Sequence, residues 1–333
     1  MIFILILITF FLPKQEQQEV WNKYQINGFT QGTTYNITYY AAERNIGEHQ
    51  IDSIFNTIDQ SLSMYQEHSL INQFNASAKG VTADAHLINV IQRSQEINRE
   101  TRGLFDITLL PLMEVWGFHK KGMTPSTPNA KTLKAIKGCI GNSLLERKGN
   151  QLLKKKPCVQ IDVNGIAQGY TVDVVANFLL AHKINNFLVE IGGEIRVNGT
   201  RQPSGELMKV GIQSPSKEVA FTHSIQKIVQ IPSGAITTSG NYQKFYENKG
   251  KRISHLMNPK TGVPVQNDLI SVTVYAKDAI TADGYDNALM AMGLKKAFRF
   301  LKKNKELEAY FIYKDKNGQV KDTATTGFYR LIK

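Results

Sequence analysis

Apolar residues recur along this chain with two periods, one typical of helices and the other of strands. In five stretches they are spaced three and four residues apart, which places them on one face of an α-helix. The helices predicted in this way cover 50–64, 87–97, 166–180, 279–292 and 295–301. Thr82 or Asp84 could cap the second of them, which should end before Gly103.

Short runs of β-branched and aromatic residues predict the strands. These runs cover 35–40, 159–163, 187–191, 194–197, 209–212, 228–231, 271–276 and 309–313. Gly192 and Gly193 separate two of them, which is a strong hairpin signal. Because strands often follow strands, with helices at intervals, the order predicts an α+β fold. We expect one large domain over 21–333 with a mixed β-sheet core and flanking helices. Residues 117–156 have no clear period and are predicted to be mostly loop.

An unbroken apolar run occupies residues 2–12, ahead of a polar stretch that ends near residue 20. As a helix the run would span about 16 Å, roughly half of a bilayer core, so it is too short to cross a membrane. Its length matches the apolar region of a secretory signal, although no Lys or Arg precedes it. A buried first strand is the alternative. We expect residues 1–20 to be an export signal and polar linker.

Composition excludes several classes of protein. The chain has 333 residues, of which 42% are apolar and 20% charged, and this is typical of a globular protein rather than a disordered one. Its net charge of +12 is spread out, with Lys154–Lys156 as the longest basic run, so nucleic-acid binding is the weaker interpretation. Cys139 and Cys158 are too few for a disulfide framework or a multi-cysteine metal site. One bridge is possible, but we expect two buried thiols.

Two segments combine acidic residues with the start of a predicted helix. Asp162 and Gly165 precede a helix whose first N–H groups lack partners, an arrangement that can hold phosphate. An ordinary strand-to-helix turn is the alternative. Asp283 and Asn287 are four residues apart, so their oxygens share one helix face and could bind Mg²⁺. The alternative is an acidic first turn that complements the helix dipole.

Two further segments each hold one candidate side chain. His255 lies in 254–262, where the sequence predicts tight turns that would fix its position, although most isolated histidines are structural. Asp106 lies inside the apolar segment 103–112, where a buried carboxylate needs a partner. It could bind a ligand or cap the neighbouring backbone, and the sequence favours neither.

Taken together and in order, these segments resemble the ApbE family of FAD:protein FMN transferases. The family pattern includes G-T-x-Y, G-x-F-D-I-T, I-A-x-G-Y, S-H-[IL]-x-[DN]-P-x-T-G and A-D. The chain matches the pattern at 32–35, 63–65 with 74–75, 103–108, 162–170, 191–196, 238–242, 254–262 and 282–283. The resemblance covers about residues 28–330. It implies a magnesium-dependent enzyme that cleaves FAD, attaches FMN through a phosphoester to a Thr of a target protein, and releases AMP.

The resemblance also implies roles for individual residues. Magnesium would be bound by the main-chain oxygen of Gly165 and by the side chains of Asp283 and Asn287. His255 and Asp283 are the candidate catalytic residues, because the acceptor hydroxyl needs help to lose its proton. FAD would be contacted by Gln31, Tyr65, Leu104, Phe105, Asp106, Asp162, Gln168 and His255.

Three of these residues depart from the family pattern. Gln31, Gln168 and Asn287 stand where many members have Met, Lys and Thr. With Gln168 in place of Lys, the diphosphate would have one positively charged side chain fewer beside it. Asn287 would still offer an oxygen ligand, but on a side chain of different length from Thr.

Other outcomes stay open at the level of sequence. The same site could hydrolyse FAD to FMN and AMP, or the chain could be an exported flavin-binding protein without turnover. Thr323–Gly327 could itself accept a flavin, although a closing strand suits that segment better. The family resemblance implies a protein in the periplasm or at the outer face of the inner membrane. It also implies acceptor flavoproteins such as subunits of ion-pumping NADH:quinone or ferredoxin oxidoreductases.

Overall fold

The computed structural model describes residues 20–118, 126–215, 225–241, 245–248 and 251–333. The predicted apolar export signal and Tyr242, the last residue of one family motif, lie outside these ranges. No helix in the described part of the chain combines the length and apolar composition that a membrane span requires.

All five helices predicted from apolar spacing are present. The α-helices of the described residues are α1 Glu48–Leu62, α2 Leu70–Ala76, α3 Ala85–Glu100, α4 Leu110–Val115, α5 Ala130–Lys137, α6 Ala167–Ala181, α7 Ala279–Met292, α8 Leu294–Leu301 and α9 Thr326–Tyr329. Asp84 caps α3 by accepting a hydrogen bond from the Leu87 N–H at 2.8 Å, and Asp278 caps α7 through the Thr281 N–H at 3.1 Å.

The strands form one large sheet and several small ones. Those of the described residues are β1 Asn22–Thr30, β2 Thr33–Ala41, β3 Gly80–Thr82, β4 Leu145–Lys148, β5 Gln151–Lys154, β6 Asn186–Ile191, β7 Glu194–Asn198, β8 Thr200–Arg201, β9 Glu206–Gln213, β10 Ile225–Ile231, β11 Ser233–Gly240, β12 Phe245–Asn248, β13 Lys251–Ser254, β14 Met257–Asn258, β15 Val263–Pro264, β16 Leu269–Ala276, β17 Glu308–Lys314 and β18 Val320–Ala324. The large sheet has eight strands in the order β1-β2-β6-β7-β11-β16-β17-β18.

The predicted α+β class is confirmed. Each pairing between neighbours in the large sheet is antiparallel, where the sequence predicted a mixed sheet. Tight hairpins join β1 to β2 and β6 to β7, and such connections can only produce antiparallel neighbours. Neighbouring strands that are joined by longer connections are antiparallel as well.

Alternating side chains of the sheet form a core on each face. On β2, Tyr35, Ile37 and Tyr39 pack towards α1 and α6, whereas Tyr40 packs on the opposite face with β9, β10 and α9. The face of the sheet that packs against α1 and α6 is here called the helical face. On this face α7 lies against β11 and β16 and crosses α6. The helical face therefore brings α6, α7 and β11 together.

Three sequence predictions fail between residues 117 and 163. The predicted loop contains α5 and the β4–β5 hairpin, whose short elements have too few apolar residues to show a period. Residues 159–163 are extended and buried at Val159, Ile161 and Val163, yet they pair with no strand among the described residues. Cys139 and Cys158 are not buried thiols. They form a disulfide with Cα atoms 5.5 Å apart, one residue half-buried and the other exposed.

Two differences concern the ends of the sheet. Strand β1 was not predicted, because most of its side chains are exposed and it shows no apolar alternation. The strand predicted at 309–313 is present as β17, and a further strand, β18, follows it at the edge of the sheet. The segment suggested as a flavin acceptor runs from the end of β18 into α9.

Candidate active site

A cavity of about 530 Å³ opens beside the large sheet, between α7 and the segments around residues 105 and 162. The glycine turn between β6 and β7, the edge of β9 and the residues after β13 complete its wall. Nine predicted site residues line it: Leu104, Phe105, Asp106, Asp162, Gly165, Gln168, His255, Asp283 and Asn287. The fold thus brings together residues that are up to 183 positions apart in the chain (287 − 104 = 183).

The two carboxyl groups of α7 are the most deeply buried acidic groups of the cavity. An oxygen of Asp283 accepts a hydrogen bond from the Gly169 N–H of α6 at 2.9 Å, and an oxygen of Asp286 accepts one from the Thr237 hydroxyl of β11 at 2.7 Å. Burial raises the pKa of both carboxyls, and the negative charge of Asp283 raises that of Asp286 further. A cation placed beside them would reverse this effect.

A close helix crossing puts Asp283 in this position. A Cβ atom at Gly169 would lie 2.7 Å from Cβ of Asp283, so only glycine lets α6 approach α7 this closely. The crossing aims the N–H of Gly169 at the Asp283 carboxylate and turns the first turn of α6 towards the cavity.

The side chain of Asn287 lies among the main-chain and carboxylate oxygens around it. Its Nδ2 donates to the carbonyl oxygens of Gly165 at 3.3 Å and Asp283 at 3.0 Å, and to the Asp286 carboxylate at 3.0 Å. Its Oδ1 accepts a hydrogen bond from the Ser239 hydroxyl at 3.1 Å. Gly165, Asp283 and Asn287, the three predicted metal ligands, are therefore neighbours.

The donor set fits a hard divalent cation. Carboxylate, amide and carbonyl oxygens are the ligands that Mg²⁺ prefers, and it usually keeps water and substrate phosphates as further ligands. Nowhere in the described residues do three or more His, Cys, Asp or Glu side chains gather as a metal cluster. A cation at α7 would therefore depend on the oxygens of Gly165 and Asn287 as well as on carboxylates.

The cavity wall is strongly acidic. Its described residues include no Lys or Arg, and His255 is the one basic side chain among them. The acidic residues of the wall are Asp106, Asp162, Glu190, Glu194, Asp283 and Asp286. The carboxylates of this wall would repel a phosphate ligand unless cations accompany it.

Asp106 caps the backbone, one of the two roles left open by the sequence. It accepts hydrogen bonds from the Thr108 N–H at 2.9 Å, the Thr108 hydroxyl at 2.6 Å and the Asn142 N–H at 3.2 Å. The Asn98 side chain donates a further bond at 3.2 Å. Burial raises the pKa of Asp106, and these four bonds oppose the shift. Because Asp106 also lines the cavity, its bonds fix the wall next to Phe105.

Asp162 and His255 are each held by local turns. Asp162 accepts a hydrogen bond from the Asn164 N–H at 2.8 Å, and its own N–H donates to the Ile107 carbonyl at 2.7 Å. His255 follows β13 in a bend, and the predicted turn after it is present, with the Asn258 side chain accepting from the Lys260 N–H at 3.0 Å. Both side chains are half-buried and line the cavity.

Gln31 and Tyr65 are not among the residues that line the cavity. Gln31 lies in the β1–β2 turn with a positive φ of 50°, and its side chain donates to Asp59 at 3.2 Å and to Thr171 at 3.1 Å. Tyr65 is exposed after α1. Partial burial and the negative charge of Asp162 raise the pKa of the Tyr65 hydroxyl. Their contacts with FAD stay predictions.

Three acidic residues of the wall were not predicted from the sequence. Asp286 follows Asp283 by three positions, a spacing that places both on one helix face and could have been noticed. Glu190 and Glu194 flank the glycine pair of the β6–β7 hairpin. Glu190 accepts hydrogen bonds from the Gly193 N–H at 2.8 Å and the Asn36 side chain at 2.6 Å, contacts that no local pattern reveals.

Comparison with known proteins identifies the family of the chain. The profile of the ApbE family matches residues 31–311. The chain belongs to the ApbE family. It is 33% identical over 309 residues to the FAD:protein FMN transferase of Vibrio cholerae, covering 91% of each protein.

Solved ApbE structures share the fold. The flavin transferase ApbE from Vibrio cholerae matches with a TM-score of 0.82 and 32% identity, over 94% of this chain and 100% of that one. The apo flavinyl transferase ApbE of Pseudomonas stutzeri matches with a TM-score of 0.84 and 30% identity, over 93% and 97%. The resemblance inferred from the sequence motifs is confirmed as family membership.

Proposed function

We propose that this ApbE-family protein transfers FMN from FAD to a Thr hydroxyl of a target protein, with Mg²⁺ and with release of AMP. The names of its relatives support the FMN transfer. The acidic cavity is the observation that carries the Mg²⁺ requirement. A diphosphate bears negative charge, and the described wall offers it no Lys or Arg.

The residues of the cavity divide the work between metal binding and substrate binding. Asp283, Asp286, Asn287 and the Gly165 carbonyl would hold the cation. When bound, Mg²⁺ would neutralise phosphate charge and stabilise the leaving group. Leu104 and Phe105 offer apolar surface to the flavin, while Asp162 offers a hydrogen-bond acceptor. Gln168 can donate a hydrogen bond but carries no charge.

The reaction is a substitution at the phosphorus on the FMN side of the FAD diphosphate. The acceptor oxygen forms a new P–O bond, the bond to the bridging oxygen breaks, and AMP leaves with that oxygen. The hydroxyl proton must pass to a base. We favour His255, which is half-buried in the wall, over Asp283, which is fully buried and already accepts the Gly169 N–H.

The deciding experiment mixes the protein, FAD, Mg²⁺ and a candidate acceptor peptide. Transfer predicts an FMN mass gain on the acceptor Thr and an equal amount of AMP. A peptide with Val in place of that Thr keeps the shape but removes the hydroxyl, so it should gain no mass. Rapid AMP release without any peptide would instead establish FAD hydrolysis. Tight FAD binding without AMP would establish a flavin-binding protein.

We also propose that the protein is exported and acts at the outer face of the inner membrane or in the periplasm, in association with membrane flavoproteins. The Cys139–Cys158 disulfide supports this, since such bonds persist mainly in oxidising compartments. Subunits of ion-pumping NADH:quinone or ferredoxin oxidoreductases are the acceptors we propose to test first. Cell fractionation followed by thiol labelling checks the compartment, because a cytosolic protein with two labelled thiols would contradict export.

A further inference from the structure

The short helix α2 carries two Asn side chains that bind the main chain of two separate segments. The side-chain nitrogen of Asn72 donates to the carbonyl oxygens of Met64 at 3.3 Å and Gln66 at 2.8 Å. Asn75 binds Ile161 in both directions: its nitrogen donates to the Ile161 carbonyl at 2.9 Å, and its oxygen accepts the Ile161 N–H at 2.8 Å. The two Asn residues are three positions apart and therefore share one helix face.

Helix α2 is itself firmly anchored. Ile71 and Phe74 are fully buried on the helical side of the core. At its start Ser69 caps the helix through the Asn72 N–H at 3.3 Å. At its end the buried amine of Lys154 donates to the Asn75 carbonyl at 3.1 Å and lies 4.7 Å from the centre of the Phe74 ring. The side-chain amides of Asn72 and Asn75 therefore project from a helix whose own position is fixed.

Side-chain hydrogen bonds fix the position of the 159–163 segment, which Asn75 binds. Val159, Ile161 and Val163 are fully buried, which holds the segment against the core. Burial alone does not fix its position along the chain direction, because no strand in the described part of the chain pairs with it. The Asn75 bonds to Ile161 and the bond from the Asp162 N–H to the Ile107 carbonyl at 2.7 Å supply that register. Asp162 and Gly165 of the cavity follow directly.

The turn gripped by Asn72 carries Tyr65. It is closed by the Ser69 hydroxyl, which donates to the Ser63 carbonyl at 2.7 Å. Asn72 and Asn75 lie on one face of α2, so the Tyr65 turn and the 159–163 segment are held side by side. This helix face therefore holds both the turn and the segment that leads into the cavity wall.

We propose that Asn72 and Asn75 are positioning residues for flavin binding, because together they fix where the Tyr65 turn lies relative to the Asp162 segment. The proposal rests on the proposed function only in taking FAD as the ligand of the cavity. Neither Asn is among the residues lining the cavity, and each acts through the backbone that it holds. Losing either amide donor would free one of the two segments to shift relative to the other.

The test compares Asn75→Asp and Asn72→Asp with a matched control, Asn198→Asp. Each change keeps the shape and the acceptor oxygen, removes the amide donor and adds one negative charge, and the control adds the same charge. Asn198 also donates to a backbone carbonyl, that of Asn185 at 2.6 Å, but at the end of β7 away from the cavity. FAD binding is followed by flavin fluorescence with Mg²⁺ present, KM and kcat by AMP release with acceptor, and folding by thermal unfolding.

We expect Asn75→Asp to raise both Kd and KM for FAD about tenfold, with kcat at saturating FAD changed less than threefold. Asn72→Asp should act in the same direction about threefold, and Asn198→Asp should leave both constants within twofold of wild type. Unchanged FAD affinity in folded Asn72→Asp and Asn75→Asp proteins would overturn the proposal. A lower Tm or a lower kcat with an unchanged KM for FAD would also overturn it, because that result would mark a purely structural role. If Asn75→Asp does not fold, Asn72→Asp alone decides. Failure of the wild type to bind FAD would instead refute the proposed function.

Discussion

The two long walls of the cavity are built in different ways. One consists of regular elements, α7 and β11, with α6 crossing behind them. The other consists of the irregular segments around residues 104–107 and 159–165, whose backbone is held by side chains such as Asn75, Asn98 and Asp106. Packing between helices and the sheet holds the residues of the regular wall in place, whereas individual hydrogen bonds hold those of the irregular wall.

The walls also differ in how their buried polar groups are satisfied. Asp106 in the irregular wall has four hydrogen-bond donors, so it contributes to the fold itself. Asp283 and Asp286 in the regular wall are more deeply buried and repel each other. Their ionised forms cost free energy unless a cation is bound. We therefore expect substitutions in the regular wall to affect activity without harming stability, and changes in the irregular wall to affect both.

The largest effect is expected for Asp283→Asn in the regular wall. Losing this carboxylate should lower the transfer rate about 10³-fold, since a bound metal stabilises the transition state by several kcal/mol. The fold should be unharmed, because the Asn oxygen can still accept the Gly169 N–H and the buried Asp286 carboxyl loses a like-charged neighbour. Transfer assays and thermal unfolding measure the two effects.

Asp278→Asn is the matched control for this change. It lies on the same helix as an N-cap outside the cavity, and Asn is an equally good cap. It should be nearly neutral in both assays. Near-wild-type transfer by Asp283→Asn in excess Mg²⁺ would show that the regular wall is not the metal site.

The next largest effect concerns the irregular wall and its disulfide. Cys139 follows α5 just before Gly141 and Asn142, whose N–H groups bond Thr108 and Asp106, while Cys158 precedes the Asp162 segment. Replacing both cysteines by Ser should lower the free energy of unfolding by about 3 kcal/mol, as expected for a bridge spanning 19 residues. It should also weaken FAD binding, because two parts of this wall lose their link.

Urea unfolding and flavin fluorescence check this prediction. Mg²⁺ affinity should change less than FAD affinity, because Asp283, Asp286 and Asn287 lie on the other wall. Adding a reductant to the wild type should give the same urea unfolding and FAD binding as the double variant. The reductant should not change the double variant itself. An equal urea midpoint for the oxidised wild type and the variant would contradict the assigned role of the bridge.

A pH effect of intermediate size should come from the regular wall. The buried Asp283 and Asp286 carboxyls have pKa values raised above the ordinary 3.8, so they keep protons that the unfolded chain releases. Since the folded state then binds more protons, the stability of the cation-free protein should fall as pH rises above that value. We expect a decrease of order 1–2 kcal/mol between pH 5 and 7.

Mg²⁺ should cancel this decrease, because it binds the ionised carboxylates. Thermal unfolding with EDTA or Mg²⁺ at several pH values tests the point: the rise in Tm caused by Mg²⁺ should be larger at pH 8 than at pH 5. The double variant Asp283→Asn with Asp286→Asn should show neither the pH dependence nor the Mg²⁺ effect. A cation-free protein that gains stability across this range would contradict the direction of the pKa shifts.

The contrast between the walls also explains what could be predicted from sequence. The α7 part of the regular wall was predictable because this helix and its Asp283–Asn287 spacing follow helical periodicity, which is a local property of the chain. Strand β11 of the same wall was not among the predicted strands. The irregular wall was predictable only as motifs. Residues 159–163 read as a strand because their apolar pattern is that of one, whereas their actual partner, Asn75, is 86 positions away from Ile161. The Cys139–Cys158 bridge likewise depends on a fold that cysteine spacing alone does not reveal.

The smallest expected effect tests the departure at Gln168, where the walls meet. Gln168 lies beside the glycine turn, close to Gly192, in a cavity whose described wall has no Lys or Arg. Gln168→Lys should therefore lower KM for FAD by no more than about fivefold, equivalent to about 1 kcal/mol for a partly exposed charge near a phosphate. Gln168→Met, similar in length but uncharged, is the control and should not improve binding. If Gln168→Lys instead weakens FAD binding, the added cation is paired with the neighbouring carboxylates rather than with the diphosphate, and the acidic wall, not the missing charge, governs affinity at this position.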